Sequence, residues 1–487
     1  MIECILNHDF VLRNAHAALE ELNTPIDEDD RRGLTDDPLD KFTEAERNEV
    51  ADALRAALGR EKLAVSYSGS SERAPAVRGQ EAPLMDWAFV SHDAIISIVQ
   101  SALDEHLRSI ENAVTQAPPE PDDDRRAAET RIPVSNEGLE ALVARRDDDD
   151  RRVFDAFSQT DPRWVASLIA KGITMLKGKH PFPADPAPAL NIAENARVIM
   201  IGDWATGLPR ATDMASNVIQ RWIDEAAGRE RHVIHLGDVY YSGWPEESKK
   251  HLLDPWPVKT GQEQEIKSWC LNGNHDMFSG GIGYFDTILS DTRFRNQNGS
   301  SRFELRHPKW QILGLDSAYE DNSLDAGGQV DWVLKRLTDA TDSGRKNLLL
   351  SHHQLFSAYE SGSEKMAAQM HDALSAGLIR SWFWGHEHRC AIYKPFMGVE
   401  YARCIGHGGV PVYQWRKVAD PVNPPASYEF RGSFTTPPGI ERWADFGFVV
   451  LDFDANGTIR AYYVDETGNA FYGAQQDGQG RLYEEIN

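Results

Sequence analysis

Residues His232-Val233-Ile234-His235-Leu236-Gly237-Asp238-Val239-Tyr240-Tyr241 pass from a short apolar run directly into Gly-Asp and two tyrosines. A run this short, rich in β-branched residues and closed by glycine, predicts a buried strand over 232–236. Glycine permits a tight turn there, and aspartate caps the next segment. The same arrangement recurs along the chain. Residues 196–201 lead to Gly202-Asp203-Trp204, and 266–271 lead to Asn272-Gly273-Asn274-His275-Asp276. Residues 347–350 lead to Ser351-His352-His353, and 381–384 lead to Gly385-His386-Glu387-His388. A further strand is predicted over 310–315, and helices over 214–227, 329–339 and 364–376. Strands alternating with amphipathic helices predict an α/β domain, in which sites gather at the C-terminal ends of strands.

Any one of these fragments is weak, because Gly-Asp at a strand end is common. Five in succession, each carrying carboxylate, imidazole or amide, point to a metal centre. Two cations about 3.5–4 Å apart clamp a phosphoryl group and lower the pKa of a bound water. A bridging carboxylate offsets their mutual repulsion, while imidazole and amide fill positions without adding charge. Such a donor set suits Zn, Mn or Fe better than Ca. After Cys390 the chain reads as strands and turns, with strands over 446–453 and 458–464 joined by a hairpin turn at 454–457.

The rest of the composition excludes several classes. A chain of 487 residues is long for one domain, and 41% hydrophobic residues are ample for a core. No stretch approaches the ~20 apolar residues of a membrane span. The N-terminus lacks a basic region and an apolar core, so no secretory signal is predicted. Four cysteines, Cys4, Cys270, Cys390 and Cys404, form no paired framework, which fits a reducing cytoplasm. Cys390 follows the His-rich motif but reads as a buried thiol. The net charge of −25 argues against a nucleic-acid backbone or an anionic membrane as partner. It would also repel a phosphate substrate unless bound cations reverse the local field.

Residues 1–190 differ from the remainder and read as a mainly helical region of unknown role, followed by a catalytic-type domain over 191–487. Helical spacing marks 44–58 and 85–110; 66–80 and 118–126 read as exposed loop or linker. Acidic runs ending in Arg-Arg at 27–32, 122–126 and 147–152 are unequally spaced, so they are solvated segments rather than a repeat. A protein partner for this region is unassigned.

From Ala196 to Val464 the motifs and their order resemble the calcineurin-like metallophosphoesterases. That resemblance implies a metallophosphoesterase β-sandwich flanked by helices. The family's first motif is Asp-x-His, whereas this chain has Asp203-Trp204-Ala205. Its second motif carries Tyr241 three residues after Asp238, the pattern of the purple acid phosphatases. The resemblance implies two metal ions. Asp203, Asp238, Tyr241 and His388 would hold the first, with Fe(III) expected at the tyrosine. Asp238 as bridge, Asn274, His352 and His386 would hold the second, as Zn(II), Mn(II) or Fe(II). His352 is favoured over its neighbour His353, although His-His-Gln replaces the family's His-x-Pro. His275 would act on phosphate or leaving group as a catalytic residue. Asp276 would orient it, or cap the following helix.

The implied activity is hydrolysis of a small phosphorylated substrate by hydroxide generated at the metals. A phosphomonoesterase is favoured, a phosphodiesterase is the alternative, and a silent scaffold is the rival from another class. The full set of ligand types argues against the scaffold. His407, in Gly406-His407-Gly408-Gly409, reads as a loop residue or a substrate contact. The glycine-bearing loop 278–284 reads as a plain turn, lacking the Lys of a P-loop.

Overall fold

The computed structural model describes residues 8–23, 39, 42–68, 91, 93–116, 145–146, 152–153, 162–410, 412, 426–430, 444–478 and 481–486. Cys4, the acidic run at 27–32, and the segments 69–80 and 118–126 lie outside these. By its contacts the chain divides into two units, Met1–Gly178 and Lys179–Asn487.

In the first unit the helices His8–Asn23, Glu44–Ser68, Ala94–Gln116 and Pro162–Lys177 pack on one another. Ala94–Gln116 is buried on nearly every side through Leu107, with Ile96, Ile98, Val99 and Leu103 inaccessible. A helix covered all round is the centre of its bundle. Ser97 and Gln100, buried with it, are satisfied by the backbone of Ser91. Asp93 caps its start through the amides of Ile95 and Ile96.

The second unit contains two sheets. Its strands are β1 (Leu190–Asn191), β2 (Arg197–Ile201), β3 (Arg231–His235), β4 (Ile266–Cys270), β5 (Phe303–Arg306), β6 (Trp310–Gly314), β7 (Lys346–Ser351) and β8 (Ile379–Trp384). They continue with β9 (Cys390–Tyr393), β10 (Tyr401–Ile405), β11 (Ala426–Phe430), β12 (Gly447–Phe453), β13 (Ile459–Asp465), β14 (Ala470–Gln476) and β15 (Leu482–Ile486). One sheet runs β15-β14-β13-β12-β2-β3-β4, the other β11-β9-β10-β8-β7-β6-β5-β1. β2, β3 and β4 are parallel, as are β6, β7, β8 and β10, while β12 returns antiparallel to β2.

Period-2 alternation explains the layering. Val198 and Met200 of β2 share one core with Leu348, Leu350, Phe383 and Ile405 of the opposite sheet. Ile199 and Ile201, between them, face a second core with residues 211–223 and 252–258. On the far side, Leu349, Trp382 and Trp384 pack with the helix Gln329–Asp342 and with Met366 and Met370. The domain is therefore a sandwich of two mixed sheets with helical segments outside each, as expected. The helix expected over 364–376 is broken at Met370 (φ −100°, ψ 5°) into Glu364–Gln369 and His371–Ser375. The hairpin at 454–457 forms, with Gly457 at φ 84° donating its N–H to Asp454 O at 2.8 Å.

Candidate metal centre

The five predicted strand ends converge because β2, β3 and β4 point the same way in one sheet, as β7 and β8 do in the other. Two clusters result: Asp203, Asp238 and His388, and His352, His353 and His386. Asp238 serves both. Its Oδ2 accepts from the Tyr240 hydroxyl at 3.0 Å, and its Oδ1 lies 3.3 Å from His352 Nε2.

In the second cluster, His352 Nδ1–H donates to the Leu236 carbonyl at 2.9 Å, which leaves the lone pair on Nε2. That nitrogen lies 2.9 Å from Asn274 Oδ1 and 3.3 Å from His386 Nδ1, and His386 Nδ1 lies 3.0 Å from Asn274 Oδ1. In the first cluster the Tyr240 hydroxyl stands 3.1 Å from Asp203 Oδ1 and 2.9 Å from His388 Nε2. One phenolic proton there faces two carboxylate oxygens and an imidazole. Acceptors converging with so few donors fit cations, and these side chains suit N/O-binding metals.

The electrostatics agree. Burial, then the charge of Asp238, drives the Asp203 carboxyl well above the usual carboxylate range, so without a cation it would not stay ionised. Burial alone would raise Asp238 as well, but His352, His275 and His388 outweigh it and hold its pKa low. His353 is kept neutral, its pKa lowered to about 3 by burial and by His352.

The backbone is bent to make this arrangement. Asp203, Asp238, His386 and His388 all have positive φ, between 52° and 76°, unusual for residues with a Cβ. Glycines make room beside them. A Cβ on Gly273 would overlap Asp238, and one on Gly385 would overlap Asp203.

A sequence model of the family described as calcineurin-like phosphoesterase matches residues 196–390, a span holding both clusters. Residues 196–390 carry a calcineurin-like phosphoesterase domain. No curated protein matches it. Among solved structures it is similar to GAP50, the anchor in the inner membrane complex of Plasmodium, at 13% identity and TM-score 0.42, covering 57% of this chain and 87% of that one. It is similar to a purple acid phosphatase from yellow lupin (Lupinus luteus) seeds at 14% identity and TM-score 0.37, covering 63% and 54%. It is also similar to a dimetal phosphatase from Danio rerio at 12% identity and TM-score 0.37, covering 62% and 99%.

Within this domain the structure places the tyrosine hydroxyl differently from the expectation. The hydroxyl among Asp203, Asp238 and His388 belongs to Tyr240, not Tyr241. Val239 forms a parallel bridge with Ala205, and the Tyr240 N–H donates to Ala205 O at 3.0 Å. With its backbone held there, the Tyr240 hydroxyl reaches the carboxylates of Asp203 and Asp238. Tyr241 contributes main chain instead: its N–H donates to Glu247 at 2.8 Å and its carbonyl lies 2.6 Å from His275 Nδ1.

Asp276 contacts backbone amides. Its Oδ2 accepts from Gly273 N at 2.8 Å and Asp238 N at 3.1 Å, so it caps the short helix Asn274–Met277 and braces the Asp238 turn. The imidazole of His275 is oriented by the Tyr241 carbonyl.

Sequence reading missed Glu247. Buried, it accepts from the amides of Tyr241, Ser242 and Trp244 and so holds the loop carrying both tyrosines. Its signal was present in Trp244-Pro245-Glu246-Glu247, a glutamate three residues past a helix start. Cys390 is a buried thiol on β9. No helix among the described residues is long and apolar enough to cross a membrane.

Proposed function

We propose that the domain hydrolyses phosphate monoesters at a two-metal centre. Asp203, Asp238, Tyr240 and His388 would hold one ion, and Asp238, Asn274, His352 and His386 the other. The observation that carries this reading is the placement of the two Asp238 oxygens, each turned to a different cluster. When bound, two cations supply Lewis acidity toward the phosphoryl oxygens and activate water. The Tyr240 phenol, beside two carboxylates, favours a trivalent ion there, and Fe(III) is the proposed occupant, with Zn(II), Mn(II) or Fe(II) at the second position.

The remaining work falls to the chain. Leu236 O fixes the His352 tautomer and directs its Nε2 at the second position. Tyr241 O fixes the His275 ring, which packs tilted against the Tyr240 ring at a centroid separation of 4.6 Å, and makes Nε2 the atom able to move a proton to a leaving oxygen. His353, held by Ser317, fills the space behind His386 and His352 as a neutral ring.

The test is metal analysis of purified protein beside a panel of phosphate monoesters and diesters. Two metals per chain and turnover of monoesters are expected. Preference for diesters would reverse the substrate assignment, and two bound metals without turnover of any ester would defeat the reading.

A further inference from the structure

A cleft opens beside His388, with His407, Val410, Arg389, Phe430 and Phe446 in its walls. Phe430 is stacked on Phe471 at a centroid separation of 3.5 Å and remains partly exposed. Phe446, buried, closes the back with the Arg210 guanidinium 4.3 Å from its ring centroid. One side of the cleft is thus aromatic.

His407 is the unexplained residue of this wall. It is 5% exposed, and neither ring nitrogen has a hydrogen-bond partner of normal geometry. Gly447 makes room for it, since a Cβ there would come within 2.6 Å of its Nε2. Burial, only partly offset by the Ile405 carbonyl, lowers its pKa to about 4, so at neutral pH the ring has one donor and one acceptor. A buried polar group without a protein partner is costly unless something else satisfies it.

Charge narrows what that partner is. Among the described residues Arg389 is the one permanent cation in this wall, and it is already committed. Its Nη1 donates to Glu429 at 3.0 Å, its guanidinium lies 4.5 Å from the Tyr359 ring centroid, and its side chain is 10% exposed. Glu387, Glu429 and Asp445 also line the cleft. Among the described residues, three carboxyls against one paired guanidinium leave no surplus positive charge for a second anionic group.

We propose that this cleft is the leaving-group subsite, taking an uncharged, ring-bearing alcohol with its ring against Phe430 and a polar substituent on His407. The inference rests on the phosphoester reading above and assigns its substrate class: monoesters of neutral cyclic or aromatic alcohols rather than of anionic or short-chain ones.

Three esters whose alcohols differ little in acidity test it on the full, metal-loaded chain: benzyl, 4-carboxybenzyl and ethyl phosphate. Benzyl phosphate should exceed ethyl phosphate in kcat/KM by about tenfold or more, the scale at which an apolar pocket discriminates. The ring carboxylate should reduce that advantage. Phe430→Ala should bring the benzyl-to-ethyl ratio toward one, whereas His407→Leu should leave that ratio unchanged and lower kcat/KM for a fourth ester, 4-carbamoylbenzyl phosphate, relative to benzyl phosphate, with folding checked by thermal melts. Equal kcat/KM for benzyl and ethyl phosphate, or a ratio unmoved by Phe430→Ala, overturns the subsite. If no ester turns over, the phosphoester reading fails, and the subsite is judged by calorimetric binding of benzylphosphonate against ethylphosphonate. Tighter binding of the benzyl compound, lost in Phe430→Ala, would support it; equal affinities would overturn it.

Discussion

The Tyr240 hydroxyl lies 2.9 Å from His388 Nε2, joining side chains 148 positions apart. Asp203 and Asp238 flank the same hydroxyl, and burial together with their charges pushes its pKa well above the ordinary value. A bound cation inverts that effect and favours the phenolate.

Fe(III)-loaded protein should therefore show a visible phenolate-to-metal charge-transfer band. Tyr240→Phe should bleach it and weaken iron retention, while Tyr241→Phe should keep the colour. Visible absorption with iron analysis decides the matter; colour that survives Tyr240→Phe would remove this tyrosine from the centre.

Asp238→Asn preserves shape but removes the charge shared by the two clusters. The variant should lose at least one metal equivalent and nearly all turnover. Elemental analysis after dialysis reads the first and ester hydrolysis the second; unchanged occupancy would show that Asp238 does not bridge.

His275→Ala should leave metal content intact while kcat falls by roughly 10²–10⁴, the range of general acid–base assistance. The loss should shrink for esters with acidic leaving groups, which need little protonation. A uniform loss across leaving groups would point to phosphate positioning instead.

The buried histidines set a pH dependence. Burial lowers His407 from 6.5 to about 4. The unfolded chain therefore takes up a proton near pH 6.5 that the folded ring refuses until about pH 4. This contribution to stability is complete above pH 6.5 and is lost as pH falls toward 4. His407→Leu should flatten the slope of Tm against pH between 7 and 5, measured by calorimetry. An unchanged slope would mean that His407 is protonated or solvated in the fold.

The correspondence between sequence and structure is uneven, and the unevenness has a physical cause. Strands β2, β3, β4, β6, β7 and β8 were legible because burial on both faces demands a continuous apolar run and the turn after it demands glycine. Such requirements are local, so ligand types and their strand ends were legible with them. The break at Met370 was not, because apolar spacing continues across it.

By itself, then, the sequence determined an α/β phosphoesterase-type domain with Asp203, Asp238, Asn274, His352, His386 and His388 at successive strand ends. The tertiary structure alone decided which of two adjacent tyrosines meets the carboxylates, that Asp276 braces backbone rather than His275, and that His407 faces a cleft. Each depends on a partner remote in the chain: Ala205 O for Tyr240, the Asp238 amide for Asp276, and Gly447 and Phe430 for His407. Spacing along the chain specifies turns and faces, whereas the direction of one hydroxyl or carboxylate is fixed by contacts that exist only once both sheets are assembled.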